Sequence, residues 1–188
     1  MPGANYVMKL SIVIPAVGCQ SDIDDTVLSV LENQPDDCEV LLSHPESYRD
    51  PYQLEDELRL VPSSGGESPD PISLLNVGIE AANGEVIHAL QPGMLVSKGW
   101  CDAAIAAFVD DSRVSALSPS ILVDGAKRPV RGIRYHVAAG KQWVRQPQRS
   151  VLAPSLAAGF YRRRAIEFMH GLDEQFGCWA DIELGLRM

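Results

Sequence analysis

The stretch Gly84-Glu85-Val86-Ile87-His88-Ala89-Leu90-Gln91-Pro92-Gly93-Met94 decides how this chain is read. A Gly-Glu pair opens a short apolar run interrupted only by His88, and a Pro-Gly turn closes it. Such a run, bounded by glycine and proline, predicts a buried strand over Val86 to Leu90 that delivers a loop at the edge of a sheet. His88 shares a face with Leu90 and is expected to be a packed histidine rather than a ligand. The turn itself carries Gln91, a neutral amide, and Gly93, which has no side chain.

Upstream, Lys9 to Pro15 is a β-branched run closed by proline and predicts a second buried strand. Ser21 and Asp24 suggest a capped start, and Ile23, Val27, Val30 and Leu31 recur at helical spacing, so a helix is predicted over 22–33. Glu39 to Ser43 predicts a strand ended by His44-Pro45, and Leu58 to Val61 another. Pro62 to Pro71 is rich in Gly, Ser and Pro and predicts no regular structure. Ile72, Leu75, Ile79 and Ala82 line one side of a helix over 72–82, with Gly84 as its C-terminal cap. Trp100, Ala104, Ala107 and Phe108 mark a helix ending near Asp110, and Val114 to Leu117 predicts a further strand. Strands and helices alternating at short intervals predict an α/β three-layer sandwich with a mainly parallel central sheet. A single domain over 1–188 is expected, with 125–154 a basic, irregular excursion or edge hairpin. Order resumes from Leu156, with a short helix through Ile166 and Phe168.

The chain has 188 residues, 46% of them hydrophobic, enough for one domain with its own core. Cys19, Cys38, Cys101 and Cys178 show no C-x-x-C spacing, so reduced, mostly structural thiols are expected rather than a zinc site or a disulfide framework. The apolar run Leu10 to Val17 is short and broken by Pro15, which argues against a signal peptide or membrane span; a soluble cytoplasmic protein is expected. A net charge of -9 and a pI near 4.8 argue against nucleic acid as a general partner. That charge is unevenly spread. No acidic residue lies between Asp124 and Glu167, yet Lys127, Arg128, Arg131, Arg134, Lys141, Arg145, Arg149, Arg162, Arg163 and Arg164 all do. Such a block is either a solvated face or an anion site.

Four blocks, in order, resemble glycosyltransferase family 2. They are Leu10 to Pro15 with Thr26 to Leu31 and Gln34; Asn76, Gly78, Ala82, Gly84 and Glu85; Leu90 to Met94 with Gly99 and Trp100; and Gly171 to Phe176 with Ala180, Asp181, Glu183, Leu184 and Arg187. The resemblance implies the GT-A fold of nucleotide-sugar transferases and the transfer of a sugar from a nucleotide donor to a hydroxyl acceptor. In that family an Asp-x-Asp motif ends the central strand and holds a divalent cation against the donor diphosphate. Here the two positions read Gln91 and Gly93, so the chain resembles a degenerate member, and no cofactor, Mn or Mg included, is expected.

The resemblance also assigns the remaining site residues. Asp181 stands where the family places its general base; the competing reading makes Asp181 and Glu183 exposed acids favoured by a helix start. His44 and Glu46 stand where acidic residues grip the nucleobase or ribose, or else in an ordinary surface loop. Ala16 to Gly18 lack the polar groups often found after the first strand. Gln91 and Glu183 complete the candidate substrate-binding set. Arg131, Arg134, Arg162 or Arg163 would neutralise a phosphate in place of a cation, or else cover apolar surface with their stems. No G-x-G-x-x-G or P-loop sequence supports another nucleotide-binding class. The alternative function is a non-catalytic binding or regulatory module on the same scaffold. Because Met188 follows soon after Ile182, the acceptor side is expected to be completed by a partner or a second copy, or to be absent.

Overall fold

The computed structural model describes residues 8–65, 70–146 and 151–188. Arg149 and residues 66–69 of the turn-rich stretch lie outside the described residues. In chain order the elements are β1 (Leu10–Pro15), α1 (Gln20–Asn33), β2 (Cys38–Pro45), β3 (Arg59–Ser63), α2 (Pro71–Ala81), β4 (Val86–Leu90), α3 (Asp102–Asp110), β5 (Ala116–Leu117), β6 (Ile133–His136), β7 (Gly140–Trp143), β8 (Ala158–Arg162), α4 (Arg163–Phe168) and α5 (Ala180–Arg187). Two 3-10 segments, Leu54–Asp56 and Glu174–Trp179, join them.

Six strands form one sheet in the order β3-β2-β1-β4-β8-β5. The first four neighbours are parallel, and β8 runs antiparallel to both β4 and β5. Both β1 and β4 are buried along their whole length because apolar side chains cover both faces. Leu10, Ile12, Ile14, Val86 and Leu90 face one core with Ile23, Val27 and Val30 of α1 and Phe108 of α3. Val13, Leu41, Ile87 and Ala89 face the other with Ile72, Leu75 and Ile79 of α2, Ile166 of α4 and Leu184 of α5. The expected three layers follow.

Several local expectations change. Gly84 is not the cap of α2: Ala82 takes that place, and Gly84 is small because a Cβ there would stand 2.7 Å from Ser11 N and 2.8 Å from Lys9 O. The start of α1 is Cys19 rather than Ser21, with no side chain bonded to the first turn. Trp100 precedes α3 instead of belonging to it. Residues Ala158 to Arg162, read only as a resumption of order, are a central strand. Segment 125–146 contains a two-stranded antiparallel ribbon, β6 with β7, that is separate from the main sheet rather than at its edge. Of the four unpaired cysteines, Cys101 alone is buried, while Cys19 and Cys178 lie on exposed turns.

Two of the sequence blocks meet physically. Asn76 of α2 donates through Nδ2 to Leu172 O at 2.8 Å and accepts from Leu172 N at 2.9 Å, 96 residues on. This side chain mimics a backbone partner and fixes the Gly171 turn, which leads into the segment carrying Asp181.

Candidate active site

In an open parallel sheet, ligand-binding groups gather at the carboxyl ends of the strands. Here that edge carries Ala16 after β1, His44 and Pro45 ending β2, and Gln91 after β4. Strand register aligns Pro15 with Ser43 and Val13 with Ala89, so β2 runs two residues past the end of β1 and β4 stops one residue short of it. His44 and Gln91 thus stand on one edge, separated by two strand spacings of about 5 Å each.

The turn after β4 is anchored on both sides. Gln91 N donates to Ala157 O at 2.9 Å, tying the turn to the chain entering β8. Gly93 adopts φ 85, a left-handed conformation that glycine takes without strain. Its N–H donates to Asp22 O at 3.2 Å and Thr26 Oγ1 at 2.9 Å, strapping the turn to α1. Gln91 is half-buried and offers one neutral amide oxygen; Gly93 offers nothing. This donor set does not fit the divalent site of the family that the sequence resembles. Among the described residues, no group of three or more His, Cys, Asp and Glu is placed to hold a metal ion.

His88 lies inside the sheet, on the side of Leu90. Its ring stacks on Phe160 with centroids 3.9 Å apart, and in the tautomer protonated at Nδ1 it donates to Gly159 O at 3.2 Å. Burial pulls its pKa down to about 4, with the Gly159 bond opposing. It is a packed neutral imidazole.

Asp181 opens α5 with its side chain fully buried. Its carboxylate accepts from Lys141 Nζ at 2.9 and 2.7 Å, from Leu156 N at 3.3 Å and from Ile182 N at 2.8 Å. Lys141, on β7, also donates to Cys178 O at 2.9 Å and lies 5.9 Å from the Trp143 ring centroid. Leu156 and Ala157 are consecutive. One backbone strip therefore holds Asp181 by one residue and the Gln91 turn by the next. Beneath it, burial and then the charge of Asp181 raise the Tyr161 hydroxyl above the ordinary tyrosine range.

The other candidates are placed as follows. Glu183 pairs within α5 to Arg187, with Oε1 and Oε2 at 2.5 and 2.6 Å, and Arg187 also donates to Met169 O and Gly171 O. That network ties the helix end to the Gly171 turn. His44 Nδ1, in the protonated tautomer, donates to Pro45 O at 2.9 Å, and its ring leans on Tyr48 at 5.2 Å. Glu46 is exposed in the following turn, its carbonyl accepting from Arg49. Arg131 Nη1 donates to Arg145 O at 3.1 Å. Arg134 sits opposite Gln142 and lines a hollow of about 220 Å³ with Trp143 and Arg145. Side chains alternate along a ribbon, so Arg134 and Lys141 occupy opposite faces.

Two arginines of the basic block are structural. Arg162 is buried and donates to Val114 O, Phe108 O and Asp111 O at 2.9, 2.8 and 3.0 Å. Arg163 pairs with Glu167 one helical turn on. The group that sequence reasoning did not single out is Lys141. Its partner lies forty positions away, so no local spacing marks it. A hollow of about 970 Å³ lies at the opposite edge, by the first residues of β2 and β3, and is lined by Asp36, Glu39, Glu55, Asp56 and Glu57. Those carboxylates suit no anionic donor.

The fold as a whole is similar to that of solved glycosyltransferases. S. aureus TarS, residues 1–349, matches with TM-score 0.70 at 19% identity, over 96% of this chain and 55% of that one. The fold is that of the GT-A glycosyltransferases. The GT-A mannosyltransferase PcManGT from Pyrobaculum calidifontis, solved with GDP-Man and Mn2+, matches with TM-score 0.67 at 16% identity, over 96% and 51% of the two chains. GalNAc-T7, solved with UDP, GalNAc and Mn2+, matches with TM-score 0.74 at 16% identity, over 95% and 39%. TarS has also been solved with UDP and with UDP-GlcNAc. This chain spans about half the length of the TarS 1–349 and mannosyltransferase structures. No protein-family model and no curated protein matches the sequence. Among the described residues, no helix is long and apolar enough to cross a membrane.

Proposed function

We propose that this chain is a nucleotide-sugar-dependent glycosyltransferase domain that works without a divalent cation. The observation supporting this is the shared strip Leu156-Ala157, which brings the Gln91 turn and the Asp181 carboxylate to one place on the GT-A edge. In the reaction an acceptor hydroxyl oxygen bonds to the anomeric carbon as the bond from that carbon to the diphosphate oxygen breaks. Asp181 takes the hydroxyl proton, and the diphosphate leaves with the electron pair. His44 and Glu46 border the nucleobase side. Cations of the 125–146 segment, Arg131 among them, supply the positive field that a departing diphosphate needs.

A second reading, a non-catalytic binding module on the same fold, is favoured by one observation. The Asp181 side chain is fully buried, with Lys141 Nζ, Leu156 N and Ile182 N donating to its carboxylate. Calorimetry with UDP, GDP and their sugars, with and without Mn2+, separates the readings when paired with an assay for released nucleoside diphosphate. Metal-independent binding with release supports the transferase. Binding without release, or no binding of any nucleotide, supports the module.

A further inference from the structure

We propose that Lys141 is the diphosphate-binding cation of this site, and that it reaches the ligand by leaving Asp181. The inference rests on the nucleotide-sugar reading and assigns a group that neither the sequence motifs nor the fold identifies. Lys141 donates to both oxygens of Asp181 and to Cys178 O, so all three ammonium hydrogens have partners. The two members of the pair are not equally enclosed. Side-chain exposure is 22% for Lys141 and 0% for Asp181, which puts the cation nearer solvent and the anion beneath it.

The exchange leaves neither group stranded. When the ammonium turns away, Asp181 keeps Leu156 N and Ile182 N as donors, so its buried charge stays hydrogen-bonded. The ammonium meanwhile trades one carboxylate for a group of higher negative charge, and a compact, rotatable lysine head suits such a point-charge contact. Trp143, whose half-exposed ring lies beside Nζ, offers a cation–π surface along the way. Arg162 and Arg163 are committed to backbone carbonyls and to Glu167, and Arg134 is on the other face of the ribbon. Among the described residues, Lys141 is the basic side chain bonded to the candidate base.

A consequence is a built-in order of events. With no donor bound, Lys141 covers the base. A bound diphosphate draws the ammonium off and opens the carboxylate oxygens to an acceptor hydroxyl. Binding and base exposure become one coupled equilibrium.

The test is calorimetry of the full chain at low salt with UDP, GDP, uridine and guanosine as probes. Wild type is expected to bind one of the diphosphates more tightly than its nucleoside. Lys141→Gln should weaken that diphosphate by about tenfold or more while leaving the nucleoside unchanged. Asp181→Asn should act in the opposite direction, tightening the diphosphate by about threefold or more, because the competing carboxylate is gone. A merely structural pair would not give opposite signs. If Lys141→Gln fails to fold, the double variant Lys141→Gln/Asp181→Asn, which carries no unpaired charge, must still bind the diphosphate at least tenfold more weakly than Asp181→Asn alone. Equal affinity of wild type and Lys141→Gln, or weaker binding by Asp181→Asn, overturns the assignment and leaves the nucleotide-sugar reading standing. A wild type that binds no nucleotide overturns both.

Discussion

The ammonium of Lys141 stands 2.7 Å from the nearer carboxylate oxygen of Asp181, joining the basic ribbon to the start of α5 across forty residues of chain. Because one partner is fully buried, removing the other leaves a charge that water does not reach. Lys141→Met is therefore expected to lower unfolding free energy by about 1–3 kcal/mol, the loss being limited by the Leu156 N and Ile182 N bonds that remain, whereas Lys141→Met with Asp181→Leu recovers most of it. Urea unfolding of the single and double variants reads this directly; a single-variant loss below about 1 kcal/mol would mean that the pair is solvated.

His88 makes stability depend on pH in the acid range. Its folded pKa, about 4, is below the ordinary histidine value of 6.5 because burial penalises the imidazolium. Above pH 6.5 both states are neutral and nothing changes. As pH falls from 6.5 towards 4 the unfolded chain takes up a proton that the folded one refuses, so stability falls across that window and levels off below it, by on the order of 3 kcal/mol in all. His88→Phe should flatten this segment of a urea-midpoint profile. Glu39 acts in the same direction at lower pH: burial pushes its carboxyl up, but hydrogen bonds from Ser11 and Asn83 hold it below the ordinary range.

Glycine substitutions distinguish packing from backbone conformation. Gly78→Ala would place a Cβ 2.3 Å from Val13 Cγ1, under α2, and Gly84→Ala would press on the Lys9 and Ser11 backbone. Each is expected to lose about 2 kcal/mol or more, since close-packed interiors do not absorb an added methyl group. Gly18→Ala, with nothing within 4 Å but φ 87, should lose about 1 kcal/mol from strain alone. Thermal melts should show a larger loss for Gly78→Ala and Gly84→Ala than for Gly18→Ala.

Arg162 is expected to behave as a structural residue. Its guanidinium satisfies three carbonyls around the end of α3, and its head lies 5.2 Å from the Phe108 ring centroid. Arg162→Lys keeps the charge but not the fork, and should destabilise by about 2 kcal/mol with nucleotide affinity unchanged. A selective loss of diphosphate binding at full stability would instead place Arg162 in the pocket.

Chelation offers a further check. With Gln91 and Gly93 at the turn, UDP or GDP affinity should be the same in EDTA as in Mn2+. A tightening of tenfold or more with Mn2+ would require a donor set other than this turn.

The element order was legible because it rests on local physics. Val86 to Leu90 was bounded to the residue, since an apolar run between glycine and a Pro-Gly turn admits little else. Helices α1 and α2 emerged from 3.6-residue periodicity, with boundaries one or two residues off where caps were misjudged. The short ribbon β6 with β7 was half-legible: its mixed polar sequence shows weak alternation because much of it is exposed.

What the sequence by itself determined is the scaffold: strands buried on both faces, amphipathic helices between them, and a turn after β4 without carboxylates. All are properties of neighbours in the chain, so composition and spacing reveal them. Only the tertiary structure decided what surrounds Asp181, why Gly84 is small, and that Asn76 holds the Leu172 backbone. Those facts depend on side chains 40 to 96 residues apart meeting at one point, and hydrogen bonding and charge pairing at that range leave no periodic trace in the sequence. That the turn after β4 carries no carboxylate is read from the sequence alone; that a lysine from the ribbon bonds the Asp181 carboxylate is a fact of the fold.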